Sequence, residues 1–274
     1  MNVDRWLFRD ASAHRLAVVR SGLAVVIGLR IGLGPYAQLA GQPRELFDPP
    51  PLVSFLGRMP GTTAMLALQV IGTAAALAAA VRWRPRATFA MAWACLLLLA
   101  GLKGSLGKIL HNDVLLLLTA VPMLGAPTEA RPGDHTRSAR YGWPVEAGVV
   151  VVAVAYFSIG VQKMVHSGLD WVTGDNMRWI MYQAAGTTLA PTDGVARAIA
   201  DRPWLAHSVA AGIVALELSA PLVIFSRRFR PWFTAAAVTL HAATWVTLGL
   251  DYWGWALTVV VVMGEWGRVT PRGV

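Results

Sequence analysis

The chain is predicted to be an all-α, polytopic transmembrane helical bundle of about eight spans, forming a single domain over residues 1–274. Three observations predict it. Hydrophobic residues make up 55% of the chain and charged residues only 14%, against roughly 25% charged in a soluble domain, and the mean hydropathy is +0.51. Apolar runs of spanning length recur along the whole sequence. The basic residues fall in short clusters between those runs, the pattern of a membrane protein with arginine-rich cytoplasmic loops.

The runs lie near residues 16–34, 62–81, 87–106, 109–126, 145–164, 206–226, 231–250 and 252–266. Each approaches the roughly 20 residues that cross a hydrocarbon core, and backbone in lipid must satisfy its own hydrogen bonds, which makes these runs helices. The first run is too long, and has too little cleavage-site character, for a removable signal peptide. The third and fourth are parted only by Gly101 to Lys108, and the last is short and opens on aromatic residues. With the N-terminus inside, 14 of the 24 Lys and Arg residues fall in inner connections and 5 in outer ones. That bias fits an even number of spans with both termini cytoplasmic in a bacterial cytoplasmic membrane.

Two outer connections are long. Residues 35–61 are rich in proline and are expected to be irregular. Residues 165–205 contain the mixed segment Gly174 to Tyr182, expected as an interfacial helix on the outer leaflet anchored by Trp171, Trp179 and Tyr182. The lone cysteine, Cys95, sits in an apolar run, so there is no disulfide framework. The net charge of +9 is dispersed among loops rather than gathered in a stripe, which argues against a nucleic-acid partner. The bilayer is the partner that composition implies.

Ionisable residues inside the spans are the candidate functional groups. Only three lysines occur, Lys103, Lys108 and Lys163, all within or at the rim of apolar runs. Lys163 closes the fifth span, where a lysine can serve as an amine base at a dry site or snorkel to the outer headgroups. His111 opens the fourth span, at the same expected outer depth as Lys163. The segment His111-Asn112-Asp113 reads equally well as a polar helix start in which Asn112 or Asp113 caps exposed amides. Glu217 lies mid-span in the sixth run, where a carboxyl costs on the order of 3 kcal/mol and must face partners or water. His241 is at similar depth on the next span. The two are expected as a hydrogen-bonded pair, with Arg20 or Arg30 of the first span as counter-charge, serving either chemistry or a polar clasp between helices. No metal ligands are assigned.

The segment Tyr156-Phe157-Ser158-Ile159-Gly160-Val161-Gln162-Lys163, followed by Asp170-Trp171-Val172-Thr173-Gly174, resembles the signature of the vitamin K-dependent γ-carboxylase-like family, also called HTTM proteins. That signature is a Tyr-Phe-x-Ala-Gly-x-x-Lys helix end followed by a Trp-x-x-Gly turn. The resemblance extends to His111-Asn112 opening the preceding span, Trp143-Pro144 before the fifth, Glu217 in the next, His241 leading toward Tyr252 and Trp253, and Arg20 in the first. It implies that Lys163 is the amine base and His111 a second active-site residue. It also implies a reduced quinone cofactor, menaquinol or vitamin K hydroquinone, whose reaction with oxygen generates the base needed to remove so weakly acidic a proton. Carbon dioxide is then the co-substrate of a carboxylase.

Three departures limit that transfer. No large extramembrane region is present, Val149 and Val151 stand where many relatives carry an Arg-x-Gln pair, and Ile159 replaces the usual alanine. These point away from carboxylation of a protein glutamate and toward an enzyme that uses Lys163 and His111 on a quinol or other isoprenoid lipid. Glu217, His241, Arg20, Asn112 and Asp113 would form a second polar cluster. One alternative is an isoprenoid (terpene) cyclase, with Glu217 as acid and Trp171, Trp245, Tyr252 and Trp253 positioning substrate or stabilising cations. The other is a non-enzymatic maturation, export or immunity partner of a small secreted peptide that docks on residues 165–205.

Overall fold

The computed structural model describes residues 7–106, 111–185 and 193–266. Among them the chain is helical throughout except for turns and a two-residue antiparallel pairing, β1 (Ala11–Ser12) with β2 (Arg137–Ser138). The described residues gather into two compact units, one of residues up to Gly148 with Glu265 and Trp266, the other of Val149–Gly264.

The first unit holds α1 (Ala13–Leu33), α2 (Thr62–Ala80), α3 (Pro85–Gly104), α4 (Val114–Leu124) and the opening turns of α5 (Ala139–Ser167). The first helix starts where it does because Ser12 is extended and its hydroxyl accepts the Arg15 N–H at 3.2 Å. It stops at Gly34, ahead of Pro35, which cannot continue a helical hydrogen-bond ladder. Helices α1, α2 and α3 pack on one another through small residues. A Cβ added at Gly72 would meet Cys95 Cβ at 2.7 Å and Ile31 Cδ1 at 2.8 Å, so the backbones approach more closely than any larger residue permits. The Gln69 amide on α2 donates to the carbonyls of Ile31 at 3.0 Å and Gly34 at 2.8 Å, taking up acceptors that the end of α1 leaves open. The proline-rich connection after α1 contains three short 3-10 turns, Tyr36–Gly41, Arg44–Leu46 and Pro51–Val53.

The second unit holds the remainder of α5, then α6 (Asp170–Thr173), α7 (Asn176–Ala185), α8 (Asp193–Ala200), α9 (Pro203–Ser219), α10 (Leu222–Phe225), α11 (Arg230–Leu248) and α12 (Trp253–Met263). The expected helix near 174–182 is α7. Its Met177 and Met181 pack with Ala196, Ala200 and Ala206, while Trp179 points outward.

Four helices, α1, α2, α3 and α5, of 21, 19, 20 and 29 residues, are long and apolar enough to cross a membrane. They are consistent with an integral membrane protein, but the expected count of about eight is not reached among the described residues. The physical reasons differ from run to run. Helix α12 is apolar but has 11 residues, about half the length needed at roughly 1.5 Å rise per residue. The segment His111–Leu124 is also short, and residues 109–110 of the expected fourth span lie outside the described residues. The run at 206–226 is interrupted, since α9 ends at Ser219 and Pro221 precedes a restart at Leu222. Helix α11 has 19 residues but dilutes its apolar face with Arg230, His241 and threonines.

Candidate functional site

The candidate site lies wholly in the second unit and begins on one face of α5, where Tyr156, Gly160 and Lys163 recur at i, i+4 and i+7. Gly160 sets the approach of the next element. A Cβ there would stand 2.9 Å from Glu217 Cβ and 3.1 Å from Leu218 Cδ2, so α5 and α9 meet at a point that only glycine allows. Lys163, three residues on, donates from Nζ to Glu217 Oε1 at 2.5 Å. This is a charge-assisted bond.

Helix geometry explains why Glu217 needs a cation. It stands two residues before the end of α9, where unsatisfied carbonyls concentrate negative potential, and Pro221 prevents another turn from taking those carbonyls up. The Glu217 side chain is 6% exposed and that of Lys163 21%. The face of Trp171 lies over Lys163 Nζ at 4.5 Å from the ring centroid, a cation–π contact. Trp171 reaches that position because Gly168, in the left-handed region at φ 57°, turns the chain out of α5, its N–H donating to the Met164 carbonyl at 2.9 Å.

A second polar pair stands deeper along the same face of α5. The Tyr156 hydroxyl and His241 Nε2 are 2.6 Å apart. Tyr156 meets Phe233 edge-on at 5.2 Å and Trp255 at 5.6 Å, and His241 stacks on Tyr252 at 5.8 Å. If Tyr156 donates to Nε2, the neutral imidazole carries its proton on Nδ1. Buried Nδ1 has no hydrogen-bond partner among the described residues, and neither has buried Glu217 Oε2. The Tyr156 hydroxyl is also within electrostatic range of Glu217. The unit therefore contains two linked polar pairs, each with one open hydrogen-bonding atom, beside aromatic walls.

The expected partnerships are rearranged. Glu217 and His241 do not bond one another; Lys163 and Tyr156 are their partners. Lys163 and His111, expected at one depth, belong to different units, and within its own unit Lys163 is bonded to Glu217. His111 is exposed and opens the 3-10 turn His111–Asp113 of the first unit. The counter-charge expected from Arg20 or Arg30 is Lys163. Arg30 Nε instead donates to Asp113 Oδ1 at 2.5 Å, with both side chains about 95% buried, and Arg20 Nη1 donates to the Pro127 carbonyl at 2.8 Å. Asp113 consequently makes no capping bond to α4. Asn112 is buried beside it in the same turn.

Of the four expected positioning aromatics, Trp171 and Tyr252 touch the site. Trp245 is 55% exposed on α11 and Trp253 is half-buried at the start of α12. The indole packed against His241 is Trp255, at 5.9 Å. Tyr156, Phe233 and Trp255 were not singled out from the sequence as site residues. Two of them carried a signal: Tyr156 shares the face of Lys163 seven residues on, and Phe233 shares the face of His241 eight residues on.

Among the described residues no group of three or more His, Cys, Asp or Glu side chains is placed to hold a metal ion. Comparison with protein-family models, with curated proteins and with solved structures gives no match.

Proposed function

We propose that the second unit is the working part of a membrane-embedded acid–base enzyme acting on a quinol or another isoprenoid lipid, as the resemblance of the Tyr156–Lys163 segment to the vitamin K-dependent γ-carboxylase-like family suggests. The observation that carries this reading is the bond of Lys163 to a buried Glu217 whose second oxygen has no partner among the described residues. A clasp serving only to join helices is better built with both oxygens satisfied, because an unpaired buried acceptor costs about 1–3 kcal/mol. A ligand hydroxyl would satisfy Oε2, and a second polar group of the ligand would satisfy His241 Nδ1.

The residues divide the work by their chemistry. Lys163 Nζ and Glu217 Oε1, in hydrogen-bond contact, would share one proton-carrying role. With the proton on Glu217, Lys163 is the amine base that the family resemblance implies. With the proton on Lys163, Glu217 Oε2 accepts from a ligand hydroxyl and the ammonium faces the negative charge that develops. Tyr156 and His241 form a second proton-carrying pair, and the rings of Tyr252 and Trp255 pack on His241, aromatic surroundings that would suit a flat apolar ligand. A reduced quinone, menaquinol or vitamin K hydroquinone, would supply ring hydroxyls and, with oxygen, a strong base, and carbon dioxide would enter only in a carboxylating version. Val149 and Val151 support an action other than carboxylation of a protein glutamate. In the bacterial cytoplasmic membrane, with cytoplasmic termini, Lys163 would work toward the outer leaflet.

A second reading draws on the aromatic enclosure around His241. Glu217 as acid and Tyr252 with Trp255 as cation-stabilising rings suit isoprenoid cyclisation. Mass spectrometry of lipids and secreted peptides from cells with and without the protein separates these enzymatic readings from peptide maturation. An altered quinone fraction that is restored by the wild type and not by Lys163→Ala or Glu217→Gln supports the first. Full restoration by both Lys163→Ala and Glu217→Gln refutes acid–base catalysis at this site.

A further inference from the structure

The residues that follow α5 fold into a small cap with two unlike sides. On the inner side, Met177, Met181 and Ala185 of α7 pack with Ala196 and Ala200 of α8 and Ala206 of α9. Trp171 of α6 packs against that cluster and also covers Lys163 Nζ, 4.5 Å from its ring centroid. Trp171, expected as an anchor on the outside, is therefore engaged on the inside.

The outer side carries other aromatic rings. Trp179 is 63% exposed and Tyr182 36%, and their rings meet at 6.3 Å. Trp204, the second residue of α9, is 67% exposed. Hydrogen bonds tie α7 to the turn before α9. The Tyr182 hydroxyl donates to Asp201 Oδ1 at 2.8 Å, and Arg178 Nε donates to the Ala200 carbonyl at 2.9 Å. Asp201 stands three residues before Trp204, with the exposed Arg202 between them. Each of the three rings joins an apolar body to a polar tip, a combination that suits the headgroup level better than bulk water or the hydrocarbon core.

The position of the cap along the chain points to the same place. Helix α5 has 29 residues, about 43 Å at roughly 1.5 Å per residue, against a hydrocarbon core of about 30 Å. A helix of that length carries its ends into the headgroup layers. Val165 and Leu169, both exposed, bracket the left-handed Gly168 turn through which α5 enters the cap.

We propose that the outer face of the cap, bearing Trp179, Tyr182 and Trp204, docks on the lipid bilayer that α5 crosses and seats at its headgroup–acyl boundary. Lipid is the occupant because the rings are amphipathic and the face continues directly from the end of a membrane-spanning helix. The proposal does not depend on what Lys163 does, so it stands apart from the enzyme reading.

The test uses the full chain in phosphatidylcholine–phosphatidylglycerol nanodiscs, in a Cys95→Ala background, with a nitroxide label on one introduced cysteine. The labelled variants are Trp179→Cys, Tyr182→Cys and Trp204→Cys, with Val154→Cys, exposed on α5 well before its end, as the hydrocarbon reference. Power saturation against oxygen and a nickel chelate gives each label's depth. Labels at 179, 182 and 204 are expected within about 5–10 Å of the headgroup–acyl boundary, and the label at 154 deeper. Gln183→Cys, also exposed, keeps all three rings. Adding Trp179→Ser/Trp204→Ser to it should move its label toward water by about 5 Å or more. If the Cys95→Ala background fails to fold, the buried Cys95 is kept and its own labelling subtracted. Water-level accessibility at two or more of 179, 182 and 204 overturns the proposal and leaves the face to a soluble or peptide partner. Depths equal to that at 154, or an unmoved label at 183 in the double tryptophan variant, overturn it as well.

Discussion

Breaking the Lys163–Glu217 bond from either side should destabilise the protein unequally, and breaking it from both sides should restore most of the loss. Removing one partner of a buried ion pair costs about 3–5 kcal/mol because the survivor is left charged in a poor solvent. Glu217 is 6% exposed and Lys163 21%, so water and the Trp171 face soften the loss of Glu217 more than that of Lys163. In Glu217→Gln the ammonium keeps its cation–π contact, worth about 0.5–2 kcal/mol, and a loss of about 2 kcal/mol is expected from the lower part of the buried-pair range. In Lys163→Met a carboxylate remains at the C-terminal end of α9 with no cation, and a loss of about 3–4 kcal/mol is expected. The double variant Lys163→Met/Glu217→Gln should fall well short of the sum, with a coupling of about 2 kcal/mol. Reversible unfolding in mixed detergent micelles, followed by tryptophan fluorescence for all four proteins, measures the cycle. Additive losses, or a Glu217 variant worse than the Lys163 variant, would refute the ion-pair account of this site.

Gly160→Ala places a Cβ 2.9 Å from Glu217 Cβ, so α5 and α9 must separate; a loss of about 1–3 kcal/mol is expected, together with a reduced coupling in the same cycle. Arg30→Met should cost about 3–5 kcal/mol in the same unfolding assay, because Asp113 would be left about 95% buried without its cation, and Arg30→Met/Asp113→Asn should recover most of that loss. Outside the spans, hydrogen bonds from the Thr136 side chain and then its backbone N–H hold Asp134 below the ordinary carboxylate range. A depressed folded-state pKa contributes stability that is present above the unfolded value, about 3.9, and lost as pH falls through the folded value. Thr136→Val should therefore raise the Asp134 titration midpoint in an NMR pH series, and an unmoved midpoint would show that the side-chain bond contributes nothing.

Much of the architecture was legible because hydropathy is a local property. The apolar runs became helices, the proline-rich connection became short turns, and the segment around Trp179 became α7. The span count was less secure because apolar length and helix length are different quantities. The run at 206–226 is apolar past Pro221, yet the missing N–H ends α9 at Ser219. Glu217, placed mid-span by its surroundings, is consequently a helix-end residue, and its need for a cation follows from that position.

Partnerships were less legible because apolar runs locate residues by depth and say nothing of azimuth. Glu217 and His241 were matched by depth, and each is bonded to a residue of α5 instead. Azimuth was available on α5 from the helical repeat alone, which puts Tyr156, Gly160 and Lys163 on one face. The missing information was which helix that face meets. Gly160 answers it, because the three atoms nearest to an added Cβ there all belong to α9, at Glu217 and Leu218. Once those backbones touch, a lysine three residues beyond the glycine bonds the carboxylate, and a tyrosine four residues before it bonds His241. The Tyr-x-x-x-Gly-x-x-Lys spacing is then a packing device that brings two proton-carrying pairs onto one helix face. Its chemistry depends on the glycine as much as on the lysine.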